Sequence, residues 1–358
     1  MTKIPIRNLW LLQFFASELF STHGYGPVGA EDAPEDLPDL VGRILADEVV
    51  QRLHRGLSVG FRPTTRNQSR VRGRINQLTT ERHRLLSRGQ VNCTFDEIVT
   101  DIPSNRLVRA ALERAAVLVH RDHRYRSLAR QLETAGVQGP CPRLADVPYL
   151  RQQRLLHRDR LMIAAAELLL TFAIPTTDVG DHHLPLPTDD DTYLRKLFEY
   201  AAYGLYRHHL RPRGWTVHHG MTQRWDLSDH SAGLSAVLPI MQLDIVLEHS
   251  NPEGQGPRRI VIDTKFTSVT KASHYRAESL SSSYIYQMYA YLMSQSRLEG
   301  RNPSEGLMLH PSVEGHFDEE AVIQGRRIRF TTVDLTTPGW QIADDFLAAI
   351  TPRRSPSN

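Results

Sequence analysis

The sequence predicts a mixed α/β protein, and three observations carry that expectation. Two apolar, strand-like runs, LPIMQLDIVLE (238–248) and RRIVIDTKF (258–266), flank the turn-rich stretch HSNPEGQGP, as the arms of a β-hairpin do. Segments with apolar residues at helical spacing lie on either side, TYLRKLFEYAAYGLYRHHL before the hairpin and SYIYQMYAYLMSQ after it. Far upstream, the glycine and proline cluster AGVQGPCPRLADVP breaks the pattern and marks a domain boundary.

Taken in chain order, an apolar N-terminal segment and short strand-like pieces precede the helical stretch NRLVRAALERAAVLVHRDHRYRSLARQLE. Together these make an α+β domain over 1–135, with 136–150 as a linker. RDRLMIAAAELLLTFA then reads as a buried helix, and IPTTDVGDHHLPLPTDDD as a loop before the helix that contains Glu199. In that helix Leu194, Leu197, Phe198, Ala201, Ala202 and Leu205 form an apolar stripe. EGLMLHP and RRIRFTTVDL, downstream, are further strands. The second domain is expected over 151–345, and 346–358, ending in TPRRSPSN, as a flexible tail.

The hairpin carries the chemistry. Reflecting the sequence about the point between Glu253 and Gly254 sets Asp244 opposite Asp263. Side chains at i and i+2 of a strand share a face, so Asp263 and Lys265 project together while Ile262 and Thr264 project the other way. Two adjacent carboxylates repel unless a hard cation lies between them, and oxygen-only ligation with room for water suits Mg²⁺. A metal in that place lowers the pKa of its water and stabilises charge on a phosphate, with a lysine beside it to orient the nucleophile. Such chemistry suits phosphodiester hydrolysis. As a bare D…DxK pattern, the arrangement also fits a cross-strand salt bridge on a half-exposed sheet. Lysine occurs only at Lys3, Lys196, Lys265 and Lys271, arginine supplying the other positive charges, and a compact ammonium fits a catalytic role better than a guanidinium.

The D…DxK hairpin between helices resembles the PD-(D/E)xK nuclease core, a mixed sheet flanked by helices. In the following helix, Gln287 and Tyr291 lie four residues apart on one face. This Q-x-x-x-Y pair is similar to that of the RecB-type branch, where it lies beside the active site. A wider resemblance is to the McrC family, nuclease subunits of McrBC-type modification-dependent restriction systems. IPIRNLWLLQFFAS, VRGRI, FDEIVTDIPSNRLVRAAL, LFEY, LDIVL, IDTKF and YQMYAY occur in that family's order. Leu243 stands where the motif's name expects proline, a residue that is not a metal ligand.

The resemblance implies a Mg²⁺-dependent DNA endonuclease, with Mn²⁺ able to substitute. Asp244, Asp263, Glu199 and the Thr264 carbonyl would hold the metal. Lys265 would serve the attacking water, and Gln287 with Tyr291 the DNA backbone. It further implies an McrB-like AAA+ GTPase partner, a hexameric ring in that family, that selects modified double-stranded DNA. The N-terminal region would dock on this ring, with Arg72 or Arg74 as candidates to reach its nucleotide site. Two other readings stay open: a non-catalytic activator of a partner NTPase, and a stand-alone RecB-like exonuclease.

Composition fits a cytoplasmic enzyme. With 358 residues, 40% of them hydrophobic, the chain can bury one large core or two moderate ones. The longest apolar run, LMIAAAELLLTFAI, contains Glu167 and is too short to span a bilayer. Cys93 and Cys141, far apart, indicate neither a disulfide framework nor a cysteine metal site. A net charge of +3 is modest, but arginines crowd VGFRPTTRNQSRVRGR, ERHRLLSR and HRDHRYRSLAR, where they either track phosphates or keep a surface solvated. No G-x-x-x-x-G-K-[ST] loop occurs, so the chain itself is not expected to hydrolyse nucleoside triphosphates. The pairs His182-His183, His208-His209 and His218-His219 diverge on regular backbone and are expected to be structural or solvated.

Overall fold

The computed structural model describes the chain apart from 1–3, 24–36, 120–122, 153–158, 173–190, 226, 228, 232, 251–255, 268–269, 272–278, 295–302, 313–315 and 353–358. The described residues are mixed α/β, as expected, and form two compact units: Met1–Leu37 with Phe172–Asn358, and Pro38–Thr171.

The chain opens with α1 (Ile6–Ala16) and α2 (Glu18–His23). Within α1 every residue from Asn8 to Phe15 is buried, so this helix is a core element rather than an amphipathic surface one.

The unit Pro38–Thr171 contains α3 (Leu37–Arg55), β1 (Gly60–Gln68), β2 (Arg74–Ile75), α4 (Gln77–Arg82) and β3 (Val91–Val99). After these come α5 (Pro103–Leu118), α6 (Arg124–Thr134), α7 (Val147–Gln152) and α8 (Arg160–Thr171). Its sheet has the order β1-β3-β2, all antiparallel, with Gly60 opposite Val99 and Gln68 opposite Val91. The expected single long helix is two, because Val119 takes an extended backbone and ends α5. Asp159 is buried in this unit and held by Arg52 and by the Ser58 hydroxyl.

The rest of the chain supplies α9 (Asp191–Leu210), β4 (Thr216–Gln223), α10 (Leu234–Val237), β5 (Met241–His249), β6 (Arg258–Thr264), β7 (Thr270–Lys271) and β8 (Ser279–Leu280). It ends with α11 (Ser282–Met293), β9 (Glu305–Ser312), β10 (Asp318–Ile323), β11 (Arg326–Asp334) and α12 (Gly339–Ala349). Six strands make one mixed sheet in the order β10-β11-β9-β6-β5-β4. The two central pairings, β11 with β9 and β9 with β6, are parallel, and the outer three are antiparallel. Strands buried on both faces read as continuous apolar runs, and β6 is buried from Ile260 to Thr264. Met288, Tyr291 and Leu292 of α11 pack on Val246, Val261, Met308 and Phe330 from one face. The alternate residues Ile260, Ile262, Leu307 and Leu309 are buried too, so the opposite face is also covered.

The expected division at 136–150 differs from the one the contacts make. Asp101 Oδ1 accepts the amides of Gln138 and Gly139 at 3.1 and 2.9 Å, and Arg109 donates to the Gly139 carbonyl at 2.8 Å. This part of the expected linker is therefore bonded to α5's end of the unit, and α8 packs on α5 as well. In the other unit α1 packs on α9, and Asn8 donates to the carbonyls of Leu335 and Thr337 at 2.9 and 3.0 Å. The expected tail also begins too early. Phe346, Ala349 and Ile350 are buried, and Arg329 donates to the Ala349 and Thr351 carbonyls at 2.8 Å each. Only 353–358 of that stretch, with most of TPRRSPSN, lie outside the described residues.

Gly204 sets the approach of α1 to α9. A Cβ at this position would lie 1.8 Å from the Phe15 carbonyl oxygen, a main-chain atom that cannot rotate away. Gly204→Ala forces the helices apart and is expected to destabilise the protein by about 1–3 kcal/mol despite alanine's better helix propensity. Urea unfolding of the variant checks this, and an unchanged midpoint would show that the two helices can separate freely.

Candidate active site

The β5–β6 register follows the reflection drawn from the sequence, with Ile245 opposite Ile262 and Val246 opposite Val261. Asp244 and Asp263 occupy the next position, where the ladder stops. On the other side of β5 the β4 ladder also skips one position, Gly220 against Asp244, and Gly220 has φ of +63°, a left-handed backbone that favours glycine. Met241 and Leu243 before Asp244, and Val246 after it, share one buried cluster, so the alternation of β5 slips by a residue at the aspartate. Freed from regular pairing, Asp244 takes over as acceptor: its Oδ2 receives the Thr264 amide at 2.8 Å and the Thr264 hydroxyl at 3.0 Å.

Asp263 is 1% exposed, and its Oδ2 lies 2.7 Å from the Lys265 ammonium, the two side chains sharing a face as their spacing predicts. Burial, reinforced by the charge of Asp244 and opposed by Lys265, pushes the Asp263 carboxyl up to about 6. Asp244 is raised as well, chiefly by burial and further by Glu199, with the Thr264 amide acting against it. Both carboxyls are thus shifted towards their protonated forms, because their burial is only partly offset by positive charge. Lys265 is anchored through its backbone amide, which donates to the Leu309 carbonyl at 3.0 Å. Its ammonium stands 5.5 Å from the centre of the Tyr284 ring.

Glu199 lies close enough to raise the Asp244 pKa, but its Oε1 is engaged by His219 at 2.9 Å. The imidazole of His219 is flanked by the rings of Tyr200 and Tyr203, 4.6 and 4.9 Å away. Sequence reasoning gave His219 a structural or solvated role; its place on β4 beside the aspartates is visible only once β4 pairs with β5. His218 points elsewhere, 3.4 Å from Glu248, as neighbours on a strand must. His182 and His183 lie outside the described residues. On α11, Gln287 donates to the Tyr291 hydroxyl at 2.6 Å, so this pair is a bonded unit. Burial raises the tyrosine's pKa, and the charges of Asp263 and Asp244 add to the rise, so the hydroxyl stands in the field of both aspartates. The structure thus brings Asp244, Asp263, Thr264, Lys265, Glu199, Gln287 and Tyr291 to one region.

Among the described residues no group of three or more His, Cys, Asp or Glu side chains is arranged to hold a metal ion. Two carboxylates are nevertheless enough for Mg²⁺, which binds through one or two of them and keeps several waters.

The family described as McrBC 5-methylcytosine restriction system component matches residues 9–301. The chain belongs to this McrBC family. The matched stretch includes Glu199, Asp244, Asp263, Lys265, Gln287 and Tyr291 and ends before β9. A curated relative, the type IV methyl-directed restriction enzyme EcoKMcrBC of Escherichia coli strain K12, is 24% identical over 339 residues, covering 93% of each chain. Among solved structures, a McrB AAA+ hexamer assembly with bound McrC from Thermococcus gammatolerans aligns over 96% of this chain and 75% of that one, at 13% identity and a TM-score of 0.42. The McrBC complex of the same organism aligns over 46% and 51%, at 19% identity and a TM-score of 0.31. No described helix of this family member is long and apolar enough to cross a membrane.

Proposed function

We propose that this chain is the DNA endonuclease subunit of a modification-dependent restriction system, with a PD-(D/E)xK core in the six-stranded sheet. The observation that carries the reading is the convergence of Asp244, Asp263 and Lys265 where β5 and β6 part. The oxygen-only donor set, two buried carboxylates whose pKa values burial raises, fits a hard divalent cation, Mg²⁺ or Mn²⁺. Asp244 and Asp263 would hold it with the Thr264 carbonyl, and Glu199 would join on release from His219. When bound, the ion supplies a Lewis acid for a phosphate oxygen and a water of lowered pKa. Lys265 would orient the attacking water and offset negative charge developing on the phosphate oxygens. Gln287 and Tyr291 position the DNA backbone beside the aspartates.

Partner docking falls to the unit Pro38–Thr171. Its β1–β3 ribbon exposes a cross-strand apolar pair, Phe61 at 71% and Ile98 at 60%, where a monomeric ribbon surface is ordinarily polar. Arg62 and Arg66 on the same ribbon pair with Glu97, and the Arg72 guanidinium lies over the Phe95 ring at 4.3 Å. Arg72 therefore has a role within the unit, which leaves Arg74 the freer of the two to approach a partner's nucleotide. The partner on this reading is an AAA+ GTPase that selects methylated DNA and supplies the nucleotide hydrolysis for which this sequence has no loop.

The test is cleavage of methylated and unmethylated circular plasmid with Mg²⁺, with and without the AAA+ protein and GTP. Cutting of methylated plasmid only with partner and GTP is the expected result. Stimulated GTP hydrolysis without any cutting would make the chain an activator. Degradation from free ends without the partner, sparing circles, would make it a RecB-like exonuclease.

A further inference from the structure

Two residues after the DxK motif, a buried histidine on the neighbouring strand meets the chain. His310 of β9 is 0% exposed, and its Nδ1 lies 2.9 Å from the Thr267 carbonyl oxygen. A carbonyl only accepts, so Nδ1 carries the hydrogen and donates it. Among the described residues Nε2 has no partner. Burial and the nearby Lys265 charge both favour the neutral ring, which in this hydrogen bond is the Nδ1–H tautomer with the lone pair on Nε2. A neutral ring sets no second positive charge beside the catalytic ammonium.

Around this ring the contacts close a clamp on residues 265–267. The Tyr284 ring lies 5.8 Å from the His310 ring and 5.5 Å from the Lys265 ammonium. The Tyr284 hydroxyl is 3.1 Å from the Thr267 hydroxyl, and the Lys265 amide is tied to Leu309, the residue before His310. Thr267 is thus held from two sides, by the imidazole at its carbonyl and by the phenol at its side chain. With Lys265 two residues away, slack at Thr267 passes directly to the ammonium.

We propose that His310 is a positioning residue that holds Lys265 in register with Asp263, acting through Thr267 and Tyr284. The inference rests on the nuclease reading above and concerns a residue outside the stretch matched to the McrBC family.

The experiment uses the full chain, wild type and two variants. His310→Asn keeps an N–H donor close to the place of Nδ1, whereas His310→Leu keeps only the bulk. With four lysines in the chain, ¹³C-lysine labelling gives a countable spectrum, and the Lys265 signal is assigned by its loss in Lys265→Arg. His310→Leu is expected to move the Lys265 signal, and His310→Asn to leave it near the wild-type position. In cleavage with the AAA+ partner, His310→Leu lowers kcat by about 10- to 100-fold with KM for DNA little changed, and His310→Asn restores most of the loss. An unmoved Lys265 signal with wild-type kcat in His310→Leu overturns the proposal. So does an equal loss in both variants that tracks a lowered Tm, which marks a packing role only. If the wild type with its partner cuts nothing, the nuclease reading fails, and the Lys265 signal alone then decides whether His310 places the lysine.

Discussion

On the proposed nuclease reading, Asp263→Ala is expected to abolish plasmid cleavage in the presence of the AAA+ protein, by about a thousandfold or more, while leaving stimulation of its GTPase intact. The magnitude follows from what the residue is asked to supply. If Asp263 is one of two carboxylates that hold the proposed metal, its loss removes most of that hold, and with it several kcal/mol of charge stabilisation, at about 1.4 kcal/mol for each factor of ten. The variant should still fold, because the side chain removed is a buried carboxylate that costs stability when ionised, which offsets the small cavity alanine leaves. Single-turnover cleavage, GTP hydrolysis and a melting curve together separate the cases. Cleavage within about tenfold of wild type would remove Asp263 from the mechanism, since a metal ligand's loss is far larger than that.

Local patterns made the hairpin legible. Alternation and a turn-rich centre fixed the pairing sum that sets Asp244 against Asp263, and the i, i+2 rule put Lys265 beside Asp263. The stripe in α9 was equally plain: Leu194, Leu197, Phe198, Ala201, Ala202 and Leu205 are all buried. What local pattern cannot carry is contact between distant segments. Nothing in IPIRNLWLLQFFAS says that it packs on a helix far along the chain, so the domain boundary was drawn at the glycine and proline cluster instead. The capture of the Thr264 amide by Asp244 depends on the break in β5 alternation at the aspartate, opposite Gly220, and the engagement of Glu199 by His219 depends on β4 pairing with β5. Both are tertiary outcomes with no periodic signature. His310 carries no local signal for a related reason: within EGLMLHP it is one polar residue near a strand end, and its neighbours come from the segment after β6 and from α11.

A second effect of comparable weight concerns stability in the absence of metal. The folded-state pKa of Asp263 is raised to about 6 from an ordinary value of 3.8, so the folded protein holds this proton more tightly than the unfolded chain does. Below about pH 4 the group is protonated in both states and costs nothing. As pH rises towards 6 the unfolded chain ionises first, and stability is lost through that window; above it the full penalty stands. The difference between 3.8 and about 6 corresponds to roughly 3 kcal/mol at neutral pH. An asparagine side chain, neutral like the protonated acid, escapes the penalty, so metal-free Asp263→Asn should be more stable than wild type by about 2–3 kcal/mol at pH 7.5. The gap should close as pH falls to 4, and taking the difference between the two proteins cancels every other titrating group. Mg²⁺ should reverse the ranking at pH 7.5, because only the carboxylate gains from the cation. A gap that is absent at pH 7.5 would show that Lys265 already neutralises Asp263, leaving no electrostatic vacancy for a metal to fill, and one that persists unchanged at pH 4 would show that it does not arise from ionisation of Asp263. A gap that appears with pH but is untouched by Mg²⁺ would separate the buried charge from metal binding, and would locate the cation elsewhere in the fold.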